Sequence, residues 1–416
     1  MRLPKRGRRR LTIDTGNTGF MLLCSSLVML MTPGLAFFYG GLVSRKNVLT
    51  IMMQSFVSMG WTTVIWFAFG YSLCFSGGAG GVIGNLDKAF LNGVSLDSPA
   101  AANPSIPEIV FVAYQMMFAI ITPALITGAF ANRITFKAYM IFLTAWLILV
   151  YFPFVHMVWG GGLLQQWVVL DFAGGIVVHN IAGIAALASV LYVGRRQVED
   201  HGPHSIPLVA LGTGLLWFGW YGFNAGSEFR VDATTAVAFL NTDLAASFAA
   251  IAWLALAWAL EKRPSFVGLL TGAVAGLATV TPAAGYVSPV AAVIIGIASG
   301  VVCYGAVAFK NRLKWDDALD VWGVHGVGGF LGIVMLGLLA TTAFNPNGTD
   351  GLLAGNLEFF GKEVAAVMLS TAWAFMFTFG MLWLIDRVTN VHVSAGVEET
   401  GLDAGLHGEQ AYLPLG

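Results

Sequence analysis

Apolar residues run in long unbroken stretches along this chain, and polar residues gather between them. Eleven stretches approach the roughly 20 residues a helix needs to cross a hydrocarbon core about 30 Å thick. They lie at 17–42, 48–76, 107–131, 138–160, 171–193, 205–223, 234–260, 265–284, 288–309, 321–342 and 362–386. The eighth is Gly-rich and the least regular. A membrane barrel would alternate over segments of about ten residues instead. The pattern predicts an all-α integral membrane protein of eleven transmembrane helices in one bundle. The Gly/Asn/Ser/Pro-rich stretch 76–106 and the stretch 343–361 read as extracellular loops without a chemical motif.

Composition agrees: 57% of residues are hydrophobic and 10% charged, against about 25% charged in soluble domains. A net charge of −1 argues against a nucleic-acid partner. Cys24, Cys74 and Cys303 each sit in an apolar stretch, where packing as small hydrophobes is the expectation and neither a disulfide framework nor a zinc spacing can be built. The many glycines, as in GGG at 160–162 and GVGG at 326–329, serve close helix approach; no Walker-type lysine follows them.

Basic residues orient the bundle. Arg45, Lys46, Arg133, Lys137, Arg195, Arg196, Lys262, Arg263, Lys310, Arg312, Lys314 and Arg387 fall on one side, and Lys88, Arg230 and Lys362 on the other. The positive-inside rule makes the first side cytoplasmic, so eleven spans put the N-terminus out and the C-terminus in. The division is then a basic N-terminal arm at 1–16, a membrane domain at 17–386 and a cytoplasmic tail at 387–416. The arm's charge contradicts its outside placement, and it lacks the apolar h-region of a signal peptide; a mis-assigned start and an arm translocated despite its charge both stay open.

His179 and His325 are the chemically conspicuous residues, since an ionisable group at membrane depth marks a functional site. They fall in spans five and ten, an odd offset that reverses the second copy and so suggests an inverted repeat of spans 1–5 and 6–10 with the pore between them. DFAGGIVVH and DVWGVHG echo each other, with Asp171 eight and Asp320 five residues before the histidine. Two imidazoles facing each other across one pore is preferred to two histidines bonded separately in helix packing. A shared metal is disfavoured, because those separations place the carboxylates about 12 Å and 8 Å along the helix from the rings. No cofactor motif is present.

The motifs PGLAFFYGGLVSRKNVL, HMVWGGGLL, DFAGGIVVHNIAG, WYGFNAGS, TPAAGYV, DDALDVWGVHGVGG and GLDAGLHGEQAY, in this order along the chain, resemble the ammonium transporter (Amt/Mep/Rh) family. The resemblance implies the eleven-span fold and a set of roles. Trp159 and Ser227 match the outer site that recruits ammonium, where an indole face attracts a small cation and a hydroxyl accepts from it. Phe223 matches the inner of two stacked gating rings; the outer position is Tyr114 in VAYQMMF, a departure whose hydroxyl bonds within the gate or alters the recruiting vestibule. Asp171 matches a buried acid that organises backbone donors, and His179 with His325 match the pore pair that relays the proton. Ammonium is deprotonated and ammonia passes, with net electrogenic transport as the expected outcome. The resemblance also implies a homotrimer in the plasma membrane and control of the tail by a PII-type signal protein.

Asp316, Asp317 and Asp320 carry at least as strong a structural reading at the cytoplasmic end of span ten. Asp243 reads as bonded in the bundle or at a subunit contact, His156 as packing, and His201, His204 and His392 have no evident partner. A sensor of the same fold that binds ammonium without conducting is the alternative function. A membrane enzyme lacks support, since no nucleophile adjoins either histidine.

Overall fold

The computed structural model describes residues 13–78, 80–198 and 202–412. Most of the basic arm and His201 lie outside them. Among the described residues the chain is all-helical, with only isolated bridges pairing Pro99 with Pro107 and Ile134 with His392. Among the described residues ten helices are long and apolar enough to cross a membrane: α1 Thr15–Leu42, α2 Val48–Phe75, α3 Glu108–Ile126, α4 Phe136–Gln166, α5 Gly175–Val193, α6 Ile206–Glu228, α7 Ala233–Glu261, α9 Pro289–Leu313, α10 Trp322–Leu339 and α11 Leu357–Val388. The eighth expected span is the shorter α8, Phe266–Val280, of 15 residues. At 1.5 Å per residue this covers about 22 Å, less than a full hydrocarbon core, before the chain breaks into turns at Thr281 and Pro282.

Local chemistry sets the boundaries. Asp14 accepts from the Asn17 N–H to start α1, Asp232 and Thr235 form a reciprocal cap on α7, and Ser265 and Ser288 cap α8 and α9. Lys262 and Lys314 end α7 and α9 in left-handed conformations. Within a membrane these caps matter more than in water, because hydrocarbon offers no partner to a free backbone group.

Packing is closest between α1 and α6 and between α7 and its followers α8 and α9. At the centre the starts of α5 and α10 cross. A Cβ on Gly183 would collide with the Gly326 backbone, and one on Gly329 would meet the Asn180 nitrogen at 2.6 Å. Only glycine lets these two backbones touch, and the contact brings the histidine-bearing turns together. Both turns are π-helical, Gly175–Asn180 and Trp322–Gly326, a distortion that shifts the side chains following it.

The tail is strapped beneath one end of the bundle. Ser394 caps the short helix α12, Ala395–Thr400. The Glu398 carboxylate accepts from the Gln197 and Val198 N–H groups at 2.6 and 2.9 Å. Asp403 accepts from the Leu49 and Thr50 N–H groups and from the Thr50 hydroxyl, capping α2 from a distant part of the chain. His204 joins the Val43 carbonyl to the Tyr412 hydroxyl, and the Arg45 guanidinium lies 4.8 Å from the Tyr412 ring.

Candidate functional site

Three cavities follow one another through the protein. The outer one, about 380 Å³, is lined by Phe118, Trp159, Asp171, Ser227, Glu228 and Gln115 among others. The middle one has room for about 10 Å³ and is walled by Phe223, Trp220, His179, His325 and aliphatic side chains. That is about the space of a single water. The inner cavity, about 260 Å³, shares Phe38, Tyr39, Val274 and His325 with the middle one and opens among Arg196, Pro203 and Asp320.

Trp159 is fixed by its indole N–H, which donates to the Asp171 carbonyl at 2.8 Å. Its ring stands edge-on to Phe118, centroids 6.0 Å apart. Ser227 sits in the 3₁₀ turn Gly226–Glu228 at the end of α6 and donates to the Phe223 carbonyl at 2.9 Å, leaving its oxygen to accept. Trp159 and Ser227 thus line the same cavity.

Tyr114 is not the ring stacked on Phe223. That ring is Phe118, 4.2 Å away at an interplanar angle of 27°. Tyr114 lies one helical turn before it, fully buried, with its hydroxyl within reach of the Gly222 and Phe223 carbonyls and 3.2 Å from the Ser227 oxygen. The polar end finds acceptors at the close of α6, and the apolar phenyl is left to cover the narrow passage. Tyr114 therefore backs Ser227, and the sequence reading overlooked Phe118 because a phenylalanine in an apolar span looks like core.

Below the rings, His179 is 6.0 Å from Phe223 and stacks on Trp220 at 5.4 Å, while the Trp220 N–H is anchored on the Thr281 hydroxyl. The two histidines meet: Nδ1 of His325 is 3.2 Å from Nδ1 of His179, and the rings lie 5.2 Å apart at 21°. A hydrogen bond between two Nδ1 atoms needs one proton for the pair. The buried Nε2 of His179 has no hydrogen-bond partner among the described residues, and His179 lines the middle cavity, where an unpaired ring nitrogen is a group that calls for a partner.

Asp171 touches the site through backbone. Its Oδ1 accepts from the N–H groups of Gly174 and Gly175 at 2.8 and 2.6 Å, and its Oδ2 from Ile176 and Val177 at 2.8 and 3.2 Å. Gly174, at φ 120°, makes this turn, which few side chains would tolerate. Glu363, also buried, accepts from the preceding Leu170 N–H at 2.6 Å. A buried carboxylate is costly unless so bonded.

The counterpart of Asp171 is Asp317, not Asp320. Asp317 lies eight residues before His325, the spacing of Asp171 to His179, and its Oδ2 accepts from the Trp322 N–H at 2.8 Å at the start of α10. Burial pushes the Asp317 carboxyl up to about 6, against the opposing pull of Lys310. Asp320 instead pairs with Lys310 at 2.5 Å, and Asp316 with Arg196 at 2.7 Å and Arg133 at 3.5 Å. Desolvation lowers Arg133 to about 10 despite that carboxylate. Asp243 accepts from the Tyr221 hydroxyl at 2.6 Å and the Trp217 indole at 3.2 Å, and His156 meets the Cys74 carbonyl.

Residues 19–412 match the Ammonium Transporter Family across almost the whole chain. The chain belongs to this family. An ammonium transporter of Bacillus subtilis (strain 168) is 43% identical over 402 residues, 96% of this chain and 99% of its own. The crystal structure of Candida albicans Mep2 superposes with a TM-score of 0.86 at 36% identity, covering 92% of this chain and 87% of that one. A solved sensor Amt protein gives 0.86 at 29% identity, covering 94% and 98%. Family and fold are those of multi-pass membrane transporters, not of enzymes.

Proposed function

We propose that the protein is an ammonium transporter that takes ammonium at Trp159 and Ser227, removes its proton above the Phe118–Phe223 pair, and passes ammonia along His179 and His325. The observation that carries this reading is the alignment of a roomy polar cavity, a sealed ring pair and a one-molecule apolar cavity ending on two hydrogen-bonded imidazoles. Energetics favour deprotonation. A bare ion moved into a medium of dielectric about 4 costs on the order of 20 kcal/mol before relaxation. Ammonium, with a pKa of about 9, gives up its proton at pH 7 for roughly 3 kcal/mol. The Nδ1–Nδ1 bond offers the proton a route beside the ammonia, and net electrogenic transport follows.

The same reading takes the bundle as eleven spans across the cell membrane, N-terminus out and tail inside, with α8 completed by the turns that follow it. Spans 1–5 and 6–10 form an inverted repeat; supporting this are the pairing of α1 with α6, the crossed starts of α5 and α10, and the matched acid-to-histidine spacing. A membrane domain at 17–386 carries the pore. The tail at 387–416 is the regulatory element, a homotrimer is the assembly, and a PII-type protein is the partner that would meet the strapped tail.

Solid-supported-membrane recordings on proteoliposomes test transport. An ammonium pulse should give a current, and a matching acidification-linked flux should appear in a pH-reporting uptake assay. Tight ammonium binding without either signal would make the protein the sensor of the same fold instead.

A further inference from the structure

We infer that Glu228 is a second cation-recruiting group of the outer vestibule and that Arg230 is its built-in counterweight. This rests on reading that cavity as the place where the cation arrives. Ser227 and Glu228 are consecutive in the turn that ends α6, and both line the cavity with Trp159. The turn is held from behind: Phe229 takes a left-handed conformation at φ 58° and packs between Phe111 and Tyr114 at 5.3 and 5.6 Å.

Of the ionisable side chains lining this cavity, Asp171 and Glu228 are carboxylates, and no lysine or arginine among the described residues lines it. They differ in availability. Both oxygens of Asp171 are committed to backbone N–H groups, whereas Glu228 has one partner, the Arg230 Nη2 at 2.6 Å on Oε1. Arg230 is itself shared, its Nε donating to Asp232 at 2.7 Å. Two carboxylates around one guanidinium leave a net negative cluster. Its geometry is polarised: the Glu228 side chain is 9% exposed and that of Arg230 38% exposed, so the anion faces the cavity and the cation faces bulk solvent.

A carboxylate so placed raises the local concentration of any small cation without contacting the rings or the pore. The contribution is set by charge, so it is screened by salt over a Debye length of about 10 Å at 0.1 M. The guanidinium beside it subtracts from the attraction. The two side chains therefore act on recruitment with opposite signs.

The test is methylammonium uptake into proteoliposomes, read as KM and maximal rate at low and high ionic strength. Isothermal titration of the same cation on the purified protein runs beside it. Glu228→Gln should raise KM, and the titrated Kd, on the order of threefold at low salt, with KM moving more than the maximal rate. Arg230→Gln should lower both, Arg230→Lys should restore the wild-type value, and all differences should shrink as salt rises. Equal, same-direction or salt-insensitive shifts in the two neutral variants overturn the inference. Wild-type protein that takes up no methylammonium overturns transport alone, because the titration still reads the opposed signs.

Discussion

The starts of α5 and α10 are two versions of one device, and they differ in their surroundings. In each a buried aspartate, Asp171 or Asp317, sits eight residues before a histidine and caps the helix that carries it. Asp171 is saturated by four backbone N–H groups and lines a cavity to which no lysine or arginine among the described residues contributes. Asp317 has Lys310 beside it, and Arg196 and Arg133 hold the neighbouring Asp316. The frame repeats while the charge does not. Among the described residues the cavity at Asp171 is lined by carboxylates alone as charged groups, whereas the cavity at the other end is lined by Arg196 and Asp320, each ion-paired.

The largest expected effect comes from removing the more heavily bonded cap. Asp171→Ala leaves four buried N–H groups without an acceptor, at about 1–3 kcal/mol for each one left unsatisfied. The melting temperature in detergent should fall steeply and transport should be lost, with Asp171→Asn retaining part of both. Asp317→Ala, which frees fewer backbone groups, should cost less in the same thermal assay; an equal loss would contradict the asymmetry.

The ring pair gives the next effect. Phe118→Ala should destabilise by about 3–5 kcal/mol and join the outer and middle cavities, seen as a proton or potassium leak in liposomes. Tyr114→Ala should weaken recruitment without that leak. A leak from the tyrosine variant alone would return the gating role to Tyr114. The smallest effect is expected of Tyr114→Phe, which removes one hydroxyl bonded at the end of α6: about 1 kcal/mol of stability and a modest rise in KM, measured by thermal unfolding and uptake.

Much of this was legible in the chain. Twenty-residue apolar runs announce spans whatever packs around them, and His179, His325, Trp159 and Ser227 stand out because polar or aromatic groups in set motifs need a reason to be there. Phe118 gave no such signal: it is one apolar residue among many, and choosing between positions 114 and 118, which share a helix face, requires the partner ring. Asp317 was hidden as one of three clustered aspartates, since the turn in which the Asp320 N–H donates to the Asp317 carbonyl, with Asp320 left-handed, lets Asp317 cap the helix N-terminus. The shortness of α8 was concealed by an apolar run that continues through the turns after Val280. Glu228 and Arg230 look like surface charges until the turn at Phe229 aims one inward and the other out.

The most direct test of the account is the ammonium-induced current of the wild type against the double variant His179→Ala, His325→Ala in the same liposomes, with potassium as a second cation. The account predicts a saturable, ammonium-selective current in the wild type that disappears, or persists only with potassium also admitted, once the imidazole pair is gone. An undiminished ammonium-selective current in the double variant would contradict it.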